Sequence, residues 1–169
     1  MKTYRLPLLA FLLTLVVLFN CCTLNKQPEP NQVYQQFLKH KELIQMITNY
    51  MVDTGYTNIY LSAGKETMKV DADGTMSQGL VEMKISDDAV CAAIQLLFKS
   101  KAYLDIDKHD NTIIFLQWMG VQDFGCGIAY SINHIDYPSG EFFTELVPLS
   151  EPGWYYFVYD YNQWRVNIG

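Results

Sequence analysis

The sequence predicts an α+β fold: one curved, mainly antiparallel sheet of about six to eight strands, with two amphipathic helices packed on one face. Two stretches, one after Asn31 and one after Ser86, repeat apolar residues at helical spacing. Between and after them run short segments rich in branched and aromatic residues, separated by Gly, Pro and Asp turns. The later links are short, and short links join antiparallel neighbours. The chain centres on residues 112–119 (TIIFLQWM). Alternation puts Ile113, Phe115, Gln117 and Met119 on one side of this strand and Ile114, Leu116 and Trp118 on the other. Both sides are apolar, so the strand is expected inside the sheet with both faces covered.

At the N-terminus, Lys2 and Arg5 precede an apolar run from Leu6 to Phe19. The run is shorter than the about 20 residues of a membrane span and has the size of a signal-peptide core. Asn20-Cys21-Cys22 follows. A cysteine directly after such a core, with Leu18 at the third position before Cys21, resembles the lipid-attachment site of bacterial lipoproteins. The resemblance covers residues 1–22. It implies a signal peptide over 1–21 with cleavage near Cys21 or Cys22. It also implies a diacylglyceryl group on one of these two thiols, and an exported domain held at the cell membrane facing away from the cytoplasm. An uncleaved anchor and ordinary secretion are the other readings of the same segment, and each exports the domain. Residues 22–31, with Pro28 and Pro30, form a polar tether.

Residues 32–169 are expected to form a single α+β domain. Half of the chain is hydrophobic and 14% is aromatic, which argues against disorder beyond the ends. The first helix is expected from an Asn31 cap to about Asp53, burying Val33, Phe37, Ile44, Ile47 and Met51. Gln35, Gln36, Lys39, Glu42 and Gln45 face solvent, and Thr54-Gly55 stops the helix. Strands are expected at 58–61 and 66–71, then a turn at 71–74. A half-buried strand at 80–85 should turn Val81, Met83 and Ile85 inward. Ser86 opens a second helix at 87–101, with Asp87 and Asp88 at its positive end and Lys99 and Lys101 at its negative end.

A strand at 103–107, a turn at 108–111, the central strand and a glycine-marked loop at 120–127 come next. Further strands are expected at 128–133, 142–147, 154–161 and 164–168, with a turn at 138–140. Neighbours are expected to pair in sequence order. Both helices should cover one face, and the last hairpin should curl over much of the other.

Sequence-order pairing brings the turn at His109 and the residues after Asn133 to one end of the sheet. Two imidazoles and several carboxylates on that rim (His109, Asp110, His134 and Asp136, near Asp107) suit a divalent metal or acid–base chemistry. No HExxH or CxxC spacing supports it, and loop tips are polar because water is there, so the rim is the alternative site. No cofactor and no catalytic residue is expected. Cys126 reads as a loop thiol, and His134 lies about 26 Å along the strand from it, too far to activate it. A Cys91–Cys126 bridge fits export, but the expected path of the second helix over the sheet holds the two apart. Asp71 and Asp73 lack the remaining ligands of an EF-hand, and no phosphate loop, dinucleotide fingerprint or GxSxG is present.

The net charge is −6, and it becomes −8 once Lys2 and Arg5 leave with the signal peptide, since no acid leaves with them. Nucleic-acid phosphates would repel such a domain, so no nucleic-acid partner is expected. Residues 153–165 are dense in rings. Both sides of a terminal strand are not expected to be buried, which makes Trp154, Tyr155, Tyr159, Tyr161 and Trp164 a candidate binding surface. The expected function is non-enzymatic binding of a protein or glycan by a lipid-anchored domain. The alternatives are an exported metal-dependent enzyme at the rim, and an acidic, immunity-type lipoprotein that neutralises a basic partner.

Overall fold

The computed structural model describes residues 26–71, 79–120, 124–132 and 143–160. Cys21, Cys22, His134, Asp136, Tyr161 and Trp164 lie outside the described residues, as do the turn at 138–140, most of the turn at 71–74 and the strand at 164–168. The elements are α1 (Pro30–Asp53), β1 (Asn58–Leu61), β2 (Thr67–Asp71), β3 (Leu80–Lys84), α2 (Asp88–Lys99), β4 (Asp105–His109), β5 (Thr112–Met119), β6 (Phe124–Ser131), β7 (Phe143–Pro148) and β8 (Trp154–Asp160). This is the α+β class, with two helices on one face of an eight-stranded antiparallel sheet.

Local chemistry sets the helix ends. Pro30 occupies the first turn of α1, where its missing N–H costs nothing. The Glu29 N–H donates to Gln32 Oε1 at 3.0 Å, so the cap is Glu29 rather than Asn31. Gly55 at φ +74° turns the chain out of α1. At α2 the Asp87 carboxylate accepts from the N–H groups of Ala89 and Val90 at 2.8 and 3.1 Å. Lys101, in the left-handed region at φ +59°, is outside the helix that was expected to include it.

The strand order is β3-β2-β1-β4-β5-β6-β8-β7. Sequence-order pairing holds within β1-β2-β3 and β4-β5-β6 and fails at two joins. After β3 the chain returns through α2 and sets β4 beside β1, because a helix is long enough to carry it back across two strands. The last hairpin inserts β8 against β6 and leaves β7 on the border. The interior place of β5 is as expected: it pairs with β4 and β6 and is buried from Thr112 to Leu116.

Several boundaries differ from expectation, each for a steric reason. Lys108 and His109 belong to β4, and the turn is only Asp110-Asn111, with Asp110 at φ +49°. Residues 124–127 are strand, not loop. Gly125 and Gly127 serve close approach there: a Cβ on Gly125 would sit 2.8 Å from the Tyr159 ring, and one on Gly127 would overlap the Phe115 carbonyl oxygen. Cys126 between them is buried, and the thiols of Cys91 and Cys126 are both free. The register between β5 and β6 shifts between Leu116 and Trp118, so Gln117 is an extra residue. The shift turns Trp118 toward the helix-covered face, opposite to the alternation read from the sequence. β3 is a border strand, and Val81 is 47% exposed rather than inward.

The helix-covered face holds the main core. Val33, Phe37, Ile44, Ile47 and Met51 of α1 and Val90, Ala93, Ile94 and Leu97 of α2 pack on Ile59, Val70, Ile106, Phe115 and Ile128. Each of the larger of these side chains contributes about 1.5–3 kcal/mol by leaving water. The other face carries a smaller cluster of Ile114, Leu116, Ala129, Phe157 and Tyr159, against which Phe143 and Leu146 of β7 pack.

Candidate functional site

The bulge in β5 has a consequence at the surface. It brings Gln117 and Trp118 together under the first half of α1, where Gln32, Val33, Gln36, Lys39 and His40 face them. The turn that follows α2 closes the far side with Lys101 and Ala102. The result is a cleft of about 410 Å³, within the about 300–1,000 Å³ of small-ligand sites.

Internal bonds orient the polar walls of the cleft. Gln117 Nε2 donates to the Val33 carbonyl and to the Tyr103 hydroxyl, both at 3.3 Å, which leaves Oε1 to accept. His40 Nδ1 donates to the Gln36 carbonyl at 3.0 Å, so its Nε2 is the accepting nitrogen in the neutral ring. The His40 ring meets Tyr103 edge-on at 5.8 Å, and burial holds the Tyr103 hydroxyl well above its usual pKa. Lys39 and Lys101 are exposed at the cleft, and no carboxylate lines it among the described residues. The wall chemistry is thus amide, imidazole and ammonium beside one indole. That set suits hydrogen bonding to hydroxyl and carbonyl groups over an apolar platform.

The aromatic surface expected on the last strand needs correction. Trp154 is 3% exposed, with its ring 4.8 Å from Phe37 and 4.9 Å from Tyr130. Tyr159 is 8% exposed and stacked on Phe157 at 5.6 Å. β8 is not a border strand, and both of its faces are packed: Phe37 of α1 covers the Trp154 side, and Phe143 and Leu146 of β7 pack against Phe157 and Tyr159 on the other. Tyr155 is half-buried.

The described part of the rim is His109 and Asp110. The register places the end of β6 beside that turn, with the Ile132 N–H donating to the Asn111 carbonyl at 2.9 Å. His109 Nδ1 and Asn58 Oδ1 are 3.2 Å apart, and Asn58 Nδ2 donates to Asp71 Oδ2 at 3.1 Å. Because Asn58 turns its amide nitrogen to Asp71, its oxygen faces His109, and Nδ1 carries the ring proton. Burial pulls His109 down to about 4, against the opposing pull of Asp110, so the ring is neutral at neutral pH. On the same strand, burial and then the charge of Asp105 push the Asp107 carboxyl well above the usual range. Among the described residues, no group of three or more His, Cys, Asp or Glu is arranged to hold a metal. Burial likewise lifts the Cys126 thiol to about 12, which leaves it un-ionised and a poor nucleophile.

Together these features define an α+β domain with an amide- and indole-lined cleft. No family model, curated protein or solved structure matches this chain. Among the described residues, no helix is long and apolar enough to cross a membrane. The residues of the cleft escaped the sequence reading. Gln36 and Lys39 look like any solvated helix face, and the one signal was Gln117, a polar residue inside an apolar strand.

Proposed function

We propose that this chain is a non-enzymatic, exported binding domain, lipid-anchored through Cys21 or Cys22, and that it holds a glycan in the cleft under α1. The single observation that carries the glycan reading is the grouping of the Trp118 indole with Gln32, Gln36, His40 and Gln117 in one concave site. Sugars offer hydroxyl groups to amides and a C–H face to an indole, and they need no charged partner. The anchor reading rests on the basic and apolar N-terminal segment followed by Cys21-Cys22.

Binding of the fluorescently labelled protein to an array of bacterial and host glycans tests the ligand class. A hit that Trp118→Ala and Gln36→Ala both weaken is the expected outcome, and a blank array for folded protein counts against it. Mass spectrometry of the N-terminal peptide from the membrane fraction tests the anchor, with a diacylglyceryl mass on Cys21 or Cys22 expected.

A further inference from the structure

The two borders of the sheet are built differently. β7 ends in Pro148, which has no N–H to offer, and its register with β8 shifts between Phe143 and Glu145. Both features discourage another strand from joining. β3 has neither. It pairs residue for residue with β2 from Leu80 to Lys84, and Leu80 and Val81 are 43% and 47% exposed. Among the described residues, β2 is its only neighbouring strand.

One hydrogen bond fixes which way the backbone of this border points. The Ile85 N–H donates to the Glu66 carbonyl at 3.0 Å. By alternation, Ile85, Met83 and Val81 turn their backbone groups toward β2, and Leu80, Glu82 and Lys84 turn theirs outward.

We propose that β3 is a dimerisation edge, on which the β3 of a second copy of this chain pairs antiparallel about a two-fold axis at Met83. In an antiparallel ladder, outward-facing residues must meet outward-facing residues. An axis at Glu82 would oppose Glu82 to itself, and an axis at Lys84 would oppose Lys84 to itself. Sliding further leaves one member of each charge pair beyond the overlap. An axis at Met83 instead sets Glu82 opposite Lys84 of the second copy, twice over, on one face. The other face then carries an apolar ladder of Val81 opposite Ile85 and Met83 opposite Met83. Directly opposed residues share a face, so the unlike charges attract and the exposed Val81 is covered. The Glu82 carboxylate is already held across this face, with Thr67 Oγ1 donating to its Oε1 at 2.6 Å and Lys65 Nζ 3.5 Å from the same oxygen. The contact is isologous, so it closes as a dimer and does not propagate.

The test uses the full chain, its fold checked by circular dichroism, and follows self-association by sedimentation equilibrium. Wild type is expected to form a dimer. Lys84→Glu places Glu against Glu and should weaken it about tenfold or more. The exchange of both residues, Glu82→Lys with Lys84→Glu, restores unlike pairing and should restore the dimer. Met83→Cys should crosslink to itself under mild oxidation in the absence of other changes, since a pair facing across the axis is within disulfide reach. A wild type that stays monomeric overturns the proposal. So does a dimer that Lys84→Glu leaves intact, or a folded double exchange that stays monomeric while Met83→Cys fails to crosslink.

Discussion

The Lys108 Nζ donates to the Met51 carbonyl at 2.8 Å, so the cation that closes the C-terminal end of α1 comes from the sheet. The last turn of α1 has no basic residue of its own. Its last carbonyls carry the negative end of the helix dipole, and an ammonium at that point stabilises it. Lys108 is only 5% exposed, so the ion loses water to be there, and burial lowers its pKa. The Met51 carbonyl also accepts from Thr54 Oγ1 at 3.1 Å and is not orphaned without Lys108.

Two substitutions separate the stem of Lys108 from its charge. Lys108→Ala should destabilise the fold by about 2 kcal/mol, from lost packing plus the lost cap. Lys108→Met keeps the stem and should cost about 1 kcal/mol or less. The pH dependence gives the sign. With the folded pKa below the unfolded 10.5, the unfolded chain binds more protons in the window between them. Wild type should therefore gain stability on Lys108→Met as the pH rises through that window. Urea unfolding across alkaline pH measures both effects.

Asp107 makes the opposite case. Its Oδ1 is buried with no hydrogen-bond partner among the described residues, and its pKa is raised by burial and by Asp105. A raised pKa means the folded state keeps a proton that the unfolded state has already lost. Stability thus falls as the pH climbs from 3.8 through the folded value. Asp107→Asn has no such proton to lose. It should stabilise the protein by about 1 kcal/mol or more at neutral pH and by little in acid. Thermal melts at the two pH values check it.

Gly127 and Gly55 should respond differently to alanine. At Gly127 the new Cβ would overlap the Phe115 carbonyl, a backbone atom of the central strand. Gly127→Ala should cost about 3 kcal/mol or prevent folding. Gly55 has open space around it, and its only constraint is φ +74°, so Gly55→Ala should cost about 1 kcal/mol.

Tyr156 holds the end of the tether. Gln27 Nε2 donates to its hydroxyl at 2.9 Å, and that hydroxyl donates to the Pro28 carbonyl at 3.5 Å. Tyr156→Phe keeps the ring and removes both bonds. Amide exchange around Gln27 should speed up severalfold, with about 1 kcal/mol or less of global stability lost.

Much of this architecture was legible. The stripe from Val33 to Met51 located α1, the Ser86-Asp87-Asp88 run located the start of α2 to within one residue (the cap is Asp87, not Ser86), and the two-sided greasiness of 112–119 placed β5 in the interior. Three features were not legible. A crossover is decided by which strand edge a helix returns the chain to, so β1 beside β4 has no local signature. A bulge at Gln117 leaves the composition of β5 unchanged and reverses the side on which Trp118 lies. Gly125 and Gly127 looked like loop residues because a glycine demanded by a close strand contact has the same sequence as one demanded by a turn. The cleft depends on the bulge and was hidden with it. Trp154 is buried because Phe37 of α1 covers its ring, and Tyr159 because Phe143 and Leu146 of β7 pack on its cluster, and no local pattern announces either contact.

The most direct test of the central claim is nuclear magnetic resonance titration of the protein with a glycan taken from the array. Glycan binding at the cleft predicts shifts confined to the Trp118 indole N–H, the His40 ring and the Gln32, Gln36 and Gln117 side-chain amides. It also predicts that Gln36→Ala and Lys39→Ala weaken binding without moving the melting temperature. Shifts that leave these groups untouched and map to another face, or a titration with no shifts at all for every glycan tried, would contradict it.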